Sequence, residues 1–237
     1  MRPTTTAVAI GTLGAASAWV WPAPAPLFPR VAERVGVPCR LARPRGVALT
    51  FDDGPHPEGT PATLRALSEA RAPATFFLVG EQVARWPALA AEIAAEGHEI
   101  AIHGFRHRLL LRRTVGALAD DLDRAVDVIA AASGRSPTLY RPPYGVFSSG
   151  ALRLVQRRGW TPLLWSKWGR DWGRRETPEA IARRATRRLE AGDVVLLHDA
   201  DHYSAPGSWA STVAALPAIF ESAAILGEPL LCASDAT

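Results

Sequence analysis

From residue 46 onward, short apolar runs alternate with amphipathic stretches, and this rhythm restricts the fold more than any other feature. Val47–Phe51, Ala74–Val79, His98–His103, Thr138–Arg141, Thr161–Ser166, Asp193–Leu197 and Pro229–Cys232 read as strands. The stretches between them carry helix signals. Thr60-Pro61 supplies an N-cap and a first-turn proline, with Leu64 and Leu67 on one face. Pro87–Glu96 is closed by Gly97. Thr114–Ser133 puts Val115, Leu118, Leu122, Val126 and Ile129 on one face and ends at Gly134. Ser149–Arg158, a segment from Thr177-Pro178-Glu179 to Gly192, and Thr212–Leu226, interrupted by Pro217, complete the series. Repeated strand–helix alternation implies parallel strands joined by right-handed crossovers. An open doubly wound sheet and a barrel both satisfy it. No Gly-rich phosphate loop follows the first strand, which weakens the nucleotide-binding option.

In either arrangement the loops after the strand ends share one face, and that face collects the titratable groups. The first strand ends in Thr50-Phe51-Asp52-Asp53-Gly54-Pro55. Two carboxylates at the tip of a buried strand are costly unless a cation, a donor or water meets them. Beyond the third strand stand His103 and His107, beyond the fourth Arg141 and Tyr144, beyond the fifth Asp171 and Trp172, beyond the sixth His198 and Asp199. Two imidazoles four apart share one face of a helical turn and reach one metal. With a carboxylate from another strand end they form a His-His-Asp set with coordination positions left open, which is a catalytic rather than a structural arrangement. His56, His202, Tyr203 and Trp209 lie on the same face, between sugar contact and plain loop packing.

Thr50-Phe51-Asp52-Asp53-Gly54-Pro55, His103-x-x-x-His107, Arg141-Pro142-Pro143-Tyr144-Gly145, Asp171-Trp172 and Leu196-Leu197-His198-Asp199, in this order, resemble the polysaccharide deacetylases of the NodB-homology family, carbohydrate esterase family 4. The resemblance covers about residues 45–235. It implies an α/β fold, an irregular (β/α) barrel of about seven parallel strands, and metal-dependent removal of N- or O-acetyl groups from a glycan. By position, Asp53, His103 and His107 match the metal ligands. Asp52 matches the general base and Arg141 the residue that holds it. Tyr144 would offer its backbone N–H to the oxyanion. His198 matches the general acid, oriented by Asp171, while Trp172 and Leu196 match walls of the acetate pocket. The implied cofactor is a divalent metal, with zinc first and cobalt, nickel or manganese as alternatives. Two positions depart from the family pattern. Gly104 replaces a Ser or Thr, and Trp168 replaces an Asp three residues before Asp171.

Competing enzyme readings are weaker. A glycoside hydrolase would leave His103 and His107 unexplained. An amidase on a non-sugar substrate is the closer rival. A non-catalytic carbohydrate-binding module would be favoured by loss of Asp52 or His198, and both are present.

The chain has 237 residues with 48% hydrophobic content, enough for one large core. Residues 3–29 carry no charge, and Ala7–Trp21 is apolar. Residues 1–44 therefore read as a signal sequence or membrane anchor with a connecting arm, followed by a catalytic domain at 45–235. That predicts export and membrane association, with an Ala-rich arm on a cytoplasmic protein as the alternative. The net charge is +4 without a basic run interleaved with aromatics, so no nucleic-acid partner is read. A monomer acting on an acetylated glycan is expected. Cys39 lies just before the first strand and Cys232 in the last, and they would pair only if a nearly closed barrel were exported; two buried thiols are the simpler reading.

Overall fold

The computed structural model describes residues 20–236. Strand β1 (Val47–Asp52) is buried along its whole length. It lies between β2 (Thr75–Leu78) and β7 (Val194–His198). Beyond β2 come β3 (Glu99–Ile102), β4 (Leu139–Tyr140) and β5 (Thr161–Pro162). Beyond β7 comes β6 (Lys167–Trp168), and β8 (Leu230–Leu231) pairs with the first half of β1. All these pairings are parallel. The sheet curls into a half-barrel with helices packed outside it.

The curl follows from chain length. β5 and β6 stand at opposite ends of the strand order, yet only residues 163–166 join them. Four residues span at most about 14 Å, so the two edges must approach each other. This corrects the single strand expected at Thr161–Ser166. Leu163 N still donates to Tyr140 O, while Ser166 N already donates to Val194 O. The chain leaves one edge to reach the other and cannot pair with both at once. The arm before β1 seals the lower end of this seam. Leu164 N donates to Pro38 O, Leu41 N donates to Gly192 O, and Arg40 Nη1 lies 3.0 Å from Asp193 Oδ1.

Period-two alternation sorts the side chains onto two faces. Val47, Leu49 and Phe51 face the outer helices with Phe76, Val195 and Leu197. Ala48 faces inward with Phe77, Val194 and Leu196, and Thr50 and Asp52 share its side of the strand. Ala25, Ala32, Val37 and Leu41 of the arm are buried in this inner cluster, the second of them on α1 (Pro29–Arg34).

The outer layer comprises α2 (Gly59–Ala70), α3 (Gly80–Arg85), α4 (Pro87–Ala95), α5 (Val115–Ser133), α6 (Ser149–Arg157), α7 (Pro178–Ala185) and α8 (Ser208–Leu226). Thr114, Ser148 and Thr177 cap α5, α6 and α7 with their side chains. The helix expected to reach Gly192 stops at Ala185. Helix α8 is not interrupted at Pro217. That residue lies on the exposed face of the helix, away from its buried stripe. Among the described residues α8 is the one helix long and apolar enough to cross a membrane, with mean hydropathy 1.5 over its span. Thr212, Ala215, Leu216, Ile219 and Ala223 form its buried stripe. Cys39 and Cys232 are both unpaired. Cys39 sits beside the seam, whereas Cys232 lies past β8 and donates to Ala74 O. The leader expected at residues 3–29 falls largely outside the described residues; within it, Pro22 and Ala25 are buried.

Candidate active site

The register of β1 against β7 sets Asp52 opposite His198, both pointing to the inner side at the C-terminal end of the sheet. Asp52 is 3% exposed and its Oδ1 accepts from Arg141 Nη1 at 2.6 Å. Arg141 is fully buried in the seam. Its other donors reach Thr50 Oγ1, Leu163 O and Leu164 O, and its guanidinium lies 3.9 Å from the centre of the Phe77 ring. A buried cation is tolerated when its protons are this fully used. Thr50 passes its own proton to Val195 O.

The next residue turns away from the strand. Asp53 has φ +79, a conformation that an Asp tolerates better than most residues, and it brings the second carboxylate to the opposite side of the cleft floor. His103 and His107 come to meet it from a bend after β3, not from the helical turn that their spacing suggested. Gly104 has φ +85, where a β-carbon would be strained, so the Gly at this position follows from the backbone. The amino end of α3 holds the bend: Gly80 N donates to Gly104 O and Glu81 N to Phe105 O. Phe105 N donates to Asp121 Oδ2.

Nε2 of His103 lies 3.5 Å from Asp53 Oδ1, and Nε2 of His107 lies 3.3 Å from the same oxygen. That oxygen is buried and has no hydrogen-bond partner. The three ligand atoms lie within 4.8 Å of one another. A tetrahedral zinc ion separates its ligand atoms by roughly 3.4 Å, so the set fits such an ion. Protonation fits too. Burial pushes Asp53 up, but His103, His198 and His107 outweigh it and hold the carboxyl at about 2. Burial lowers His107 to about 4, which leaves its imidazole neutral. His103 Nδ1 donates to Arg141 O at 2.8 Å, which turns its Nε2 lone pair toward Asp53.

Across the cleft, His198 Nδ1 donates to Asp171 Oδ1 at 2.8 Å. Asp171 is itself fixed by donors from His198 N and Thr212 Oγ1. Burial works against the His198 cation, but Asp171, then Asp53 and Asp52, prevail and raise it to about 10. Its Nε2 is 3.9 Å from Asp53 Oδ2. Trp172 stands edge-on to His198 at 5.9 Å, and Leu196 lines the floor beneath. Tyr144 sits at φ +61 in the turn after β4, 57% exposed at the rim. Together these residues enclose a cleft of about 350 Å³.

Asp52, Asp53, His103, His107, Tyr144, Trp172, Leu196 and His198 line this cleft, and Arg141 and Asp171 hold two of them. Other residues join them. Trp165 also lines the cleft, and Trp168 stacks on it at 5.8 Å. Tyr203 and Ser204 close the side nearest His107. Asp199 is fully buried below, accepting from the Thr60 hydroxyl. A second group, His56, Asp201 and His202, is hydrogen-bonded rather than open. His56 Nδ1 accepts from Gly59 N, its Nε2 faces Asp201 Oδ1 at 3.1 Å, and His202 Nε2 donates to Pro55 O. These are clasps between loops, which only the folded chain brings together.

The curled parallel sheet, with its carboxylates and imidazoles at the C-terminal end, is the deacetylase barrel of carbohydrate esterase family 4. A crystal structure of a peptidoglycan N-acetylglucosamine deacetylase in complex with 4-naphthalen-1-yl-N-oxidanyl-benzamide matches it with a TM-score of 0.79 at 26% identity, over 86% of this chain and 94% of that one. The polysaccharide deacetylase family profile matches residues 41–163, and the chain belongs to that family. It is 38% identical over 156 residues to a chitooligosaccharide deacetylase of Bradyrhizobium sp. strain ANU 289, covering 65% of this chain and 71% of that protein. It is 35% identical over 156 residues to a peptidoglycan-N-acetylglucosamine deacetylase of Bacillus cereus, covering 65% and 72%.

Proposed function

We propose that this protein is a metal-dependent hydrolase that removes N-acetyl groups from a glycan. The observation that carries the reading is the approach of His103 and His107 to one unpartnered oxygen of Asp53, flanked by the Asp52–Arg141 and His198–Asp171 pairs. Asp53, His103 and His107 would hold a divalent ion, with zinc the first choice. When bound, the ion polarises the acetyl carbonyl and acidifies a water.

The chain's own groups perform the remaining work. Arg141 occupies Asp52 Oδ1, which leaves Oδ2 to take the proton of the attacking water. The backbone N–H of Tyr144 donates to the oxygen of the acetyl carbonyl as negative charge builds there. Trp172 and Leu196 enclose the methyl group. His198 gives its Nε2 proton to the departing nitrogen, and Asp171 keeps the other ring nitrogen protonated and aimed. The carbon–nitrogen bond breaks to leave acetate and a free amine. This cycle belongs to residues 45–235, preceded by the leader and arm of residues 1–44. Export by that leader would place the enzyme, as a monomer, where peptidoglycan or other acetylated envelope glycans are found.

The decisive experiment measures acetate released from N-acetylated chitooligosaccharide and from peptidoglycan. Chelator-stripped protein should be inactive, and zinc should restore it. Equal release by stripped and reloaded protein would overturn the metal-dependent reading.

A further inference from the structure

The two imidazoles facing Asp53 are held by different means. His103 is oriented by a hydrogen bond from Nδ1 to the Arg141 carbonyl. His107 has none: its Nδ1 is buried and without a partner. The bend that carries it, His103 to His107, has no hydroxyl of its own. A histidine that binds a metal almost always fixes its ring through the second nitrogen, because a freely turning ring misplaces the first. Something else must hold His107.

Tyr203 does so by contact. Its ring lies parallel to His107, with centres 4.2 Å apart and planes 14° apart. Tyr144 also meets His107, edge-on at 4.5 Å. The far end of Tyr203 is tied down twice. Its hydroxyl donates to Glu81 Oε1 at 2.8 Å and accepts from Gln82 Nε2 at 3.0 Å. Glu81 and Gln82 begin α3, the same helix whose amino end holds the carbonyls of the histidine bend. One short helix thus grips the backbone of the bend directly and its histidine ring through Tyr203.

We propose that Tyr203 is a positioning residue for His107. It aims Nε2 at the metal by stacking, as the Arg141 carbonyl aims His103 by hydrogen bonding. The inference rests on the reading of Asp53, His103 and His107 as a metal site. Offset or parallel aromatic pairs of this kind are directional enough to set a ring plane. The loop after β7 supplies the tyrosine, so the strand that ends in His198 also supports a ligand on the opposite wall.

The test is zinc affinity of the full-length apo protein by competition with a chromophoric chelator, beside the thermal midpoint of the apo form. Tyr203→Leu and Tyr203→Gln remove the ring and leave a smaller side chain, unbranched at Cβ, in its place. Each should bind zinc about 10- to 100-fold more weakly, the usual loss for an outer support of a ligand, with the apo midpoint near that of the parent. Tyr203→Phe keeps the ring and should stay close to the parent. Parental affinity in either folded ring-less variant overturns the proposal, as does a Phe variant that falls as far as they do. A parent protein that binds no zinc refutes the underlying metal site instead.

Discussion

His198 and Asp199 are adjacent, the first half-buried and the second buried, and both hold their protons above the ordinary range for different reasons. His198 has a carboxylate on its ring and is held as a cation well above neutrality. Asp199 has only the Thr60 hydroxyl on one oxygen and nothing on the other, and burial raises it to about 7. If His198 protonates a leaving amine, replacing it should hurt poor leaving groups most. His198→Ala should lose roughly 10²- to 10⁴-fold on an acetamide and far less on an activated acetyl ester. Equal losses on both, measured as kcat/KM, would give His198 a binding or structural role. For Asp199 the expectation concerns stability. Its folded value lies above the 3.8 of a free carboxyl, so the folded state keeps the proton longer. Its contribution to stability therefore falls as pH rises from about 4 to about 7 and levels off above that. Asp199→Asn should lack this slope. Melting of the metal-stripped parent and variant across pH 4–8 tests it, and a difference in midpoint that does not change with pH would contradict the assignment.

At the scale of elements, the site depends on how closely α2 meets the loop after β7. Gly59 opens α2, and a β-carbon there would overlap the Asp199 carbonyl oxygen and press on Trp209. Backbone cannot yield as a flexible side-chain end can. Gly59→Ala should therefore cost about 1–3 kcal/mol, a drop in melting midpoint of roughly 3–10 °C for a domain of this size. A variant melting with the parent would show that α2 can slide. The elements themselves were largely legible. The long periodic segments, such as Val115–Ser133 with its Thr114 cap, are where expected. Short α3 was missed, because six residues with no apolar period leave no signal. The histidine bend was read as a helical turn because a spacing of four fits a helix, while the positive φ of Gly104 is a property of the folded backbone.

For the whole molecule, the arm before β1 is part of the fold. It buries Ala25, Ala32, Val37 and Leu41 in the inner cluster and supplies Arg40 to the fully buried Asp193. Removing residues 1–44 should leave a seam open to water and take the Arg40 cation from Asp193, which keeps Lys167 and Ser166 as partners. The melting midpoint is expected to fall by roughly 5 °C or more, since each large apolar side chain lost from a core costs about 1.5–3 kcal/mol. A truncated protein that melts with the parent would show that the arm only lies against the barrel.

Local patterns in the sequence carried the strand rhythm, the apolar faces and the order of the five motifs, because these are set by neighbours along the chain. They also placed Asp52, Asp53, His103, His107, Arg141, Asp171 and His198 beyond strand ends. The folded chain decided what depends on distance between remote segments. The register of β1 on β7 put Asp52 opposite His198. A four-residue crossing made the sheet curl rather than lie open. The left-handed turn at Asp53 sent two neighbouring carboxylates to different partners. Tyr203 reached His107 across nearly a hundred residues of chain, a contact that no local period records because only closure of the sheet brings those loops together.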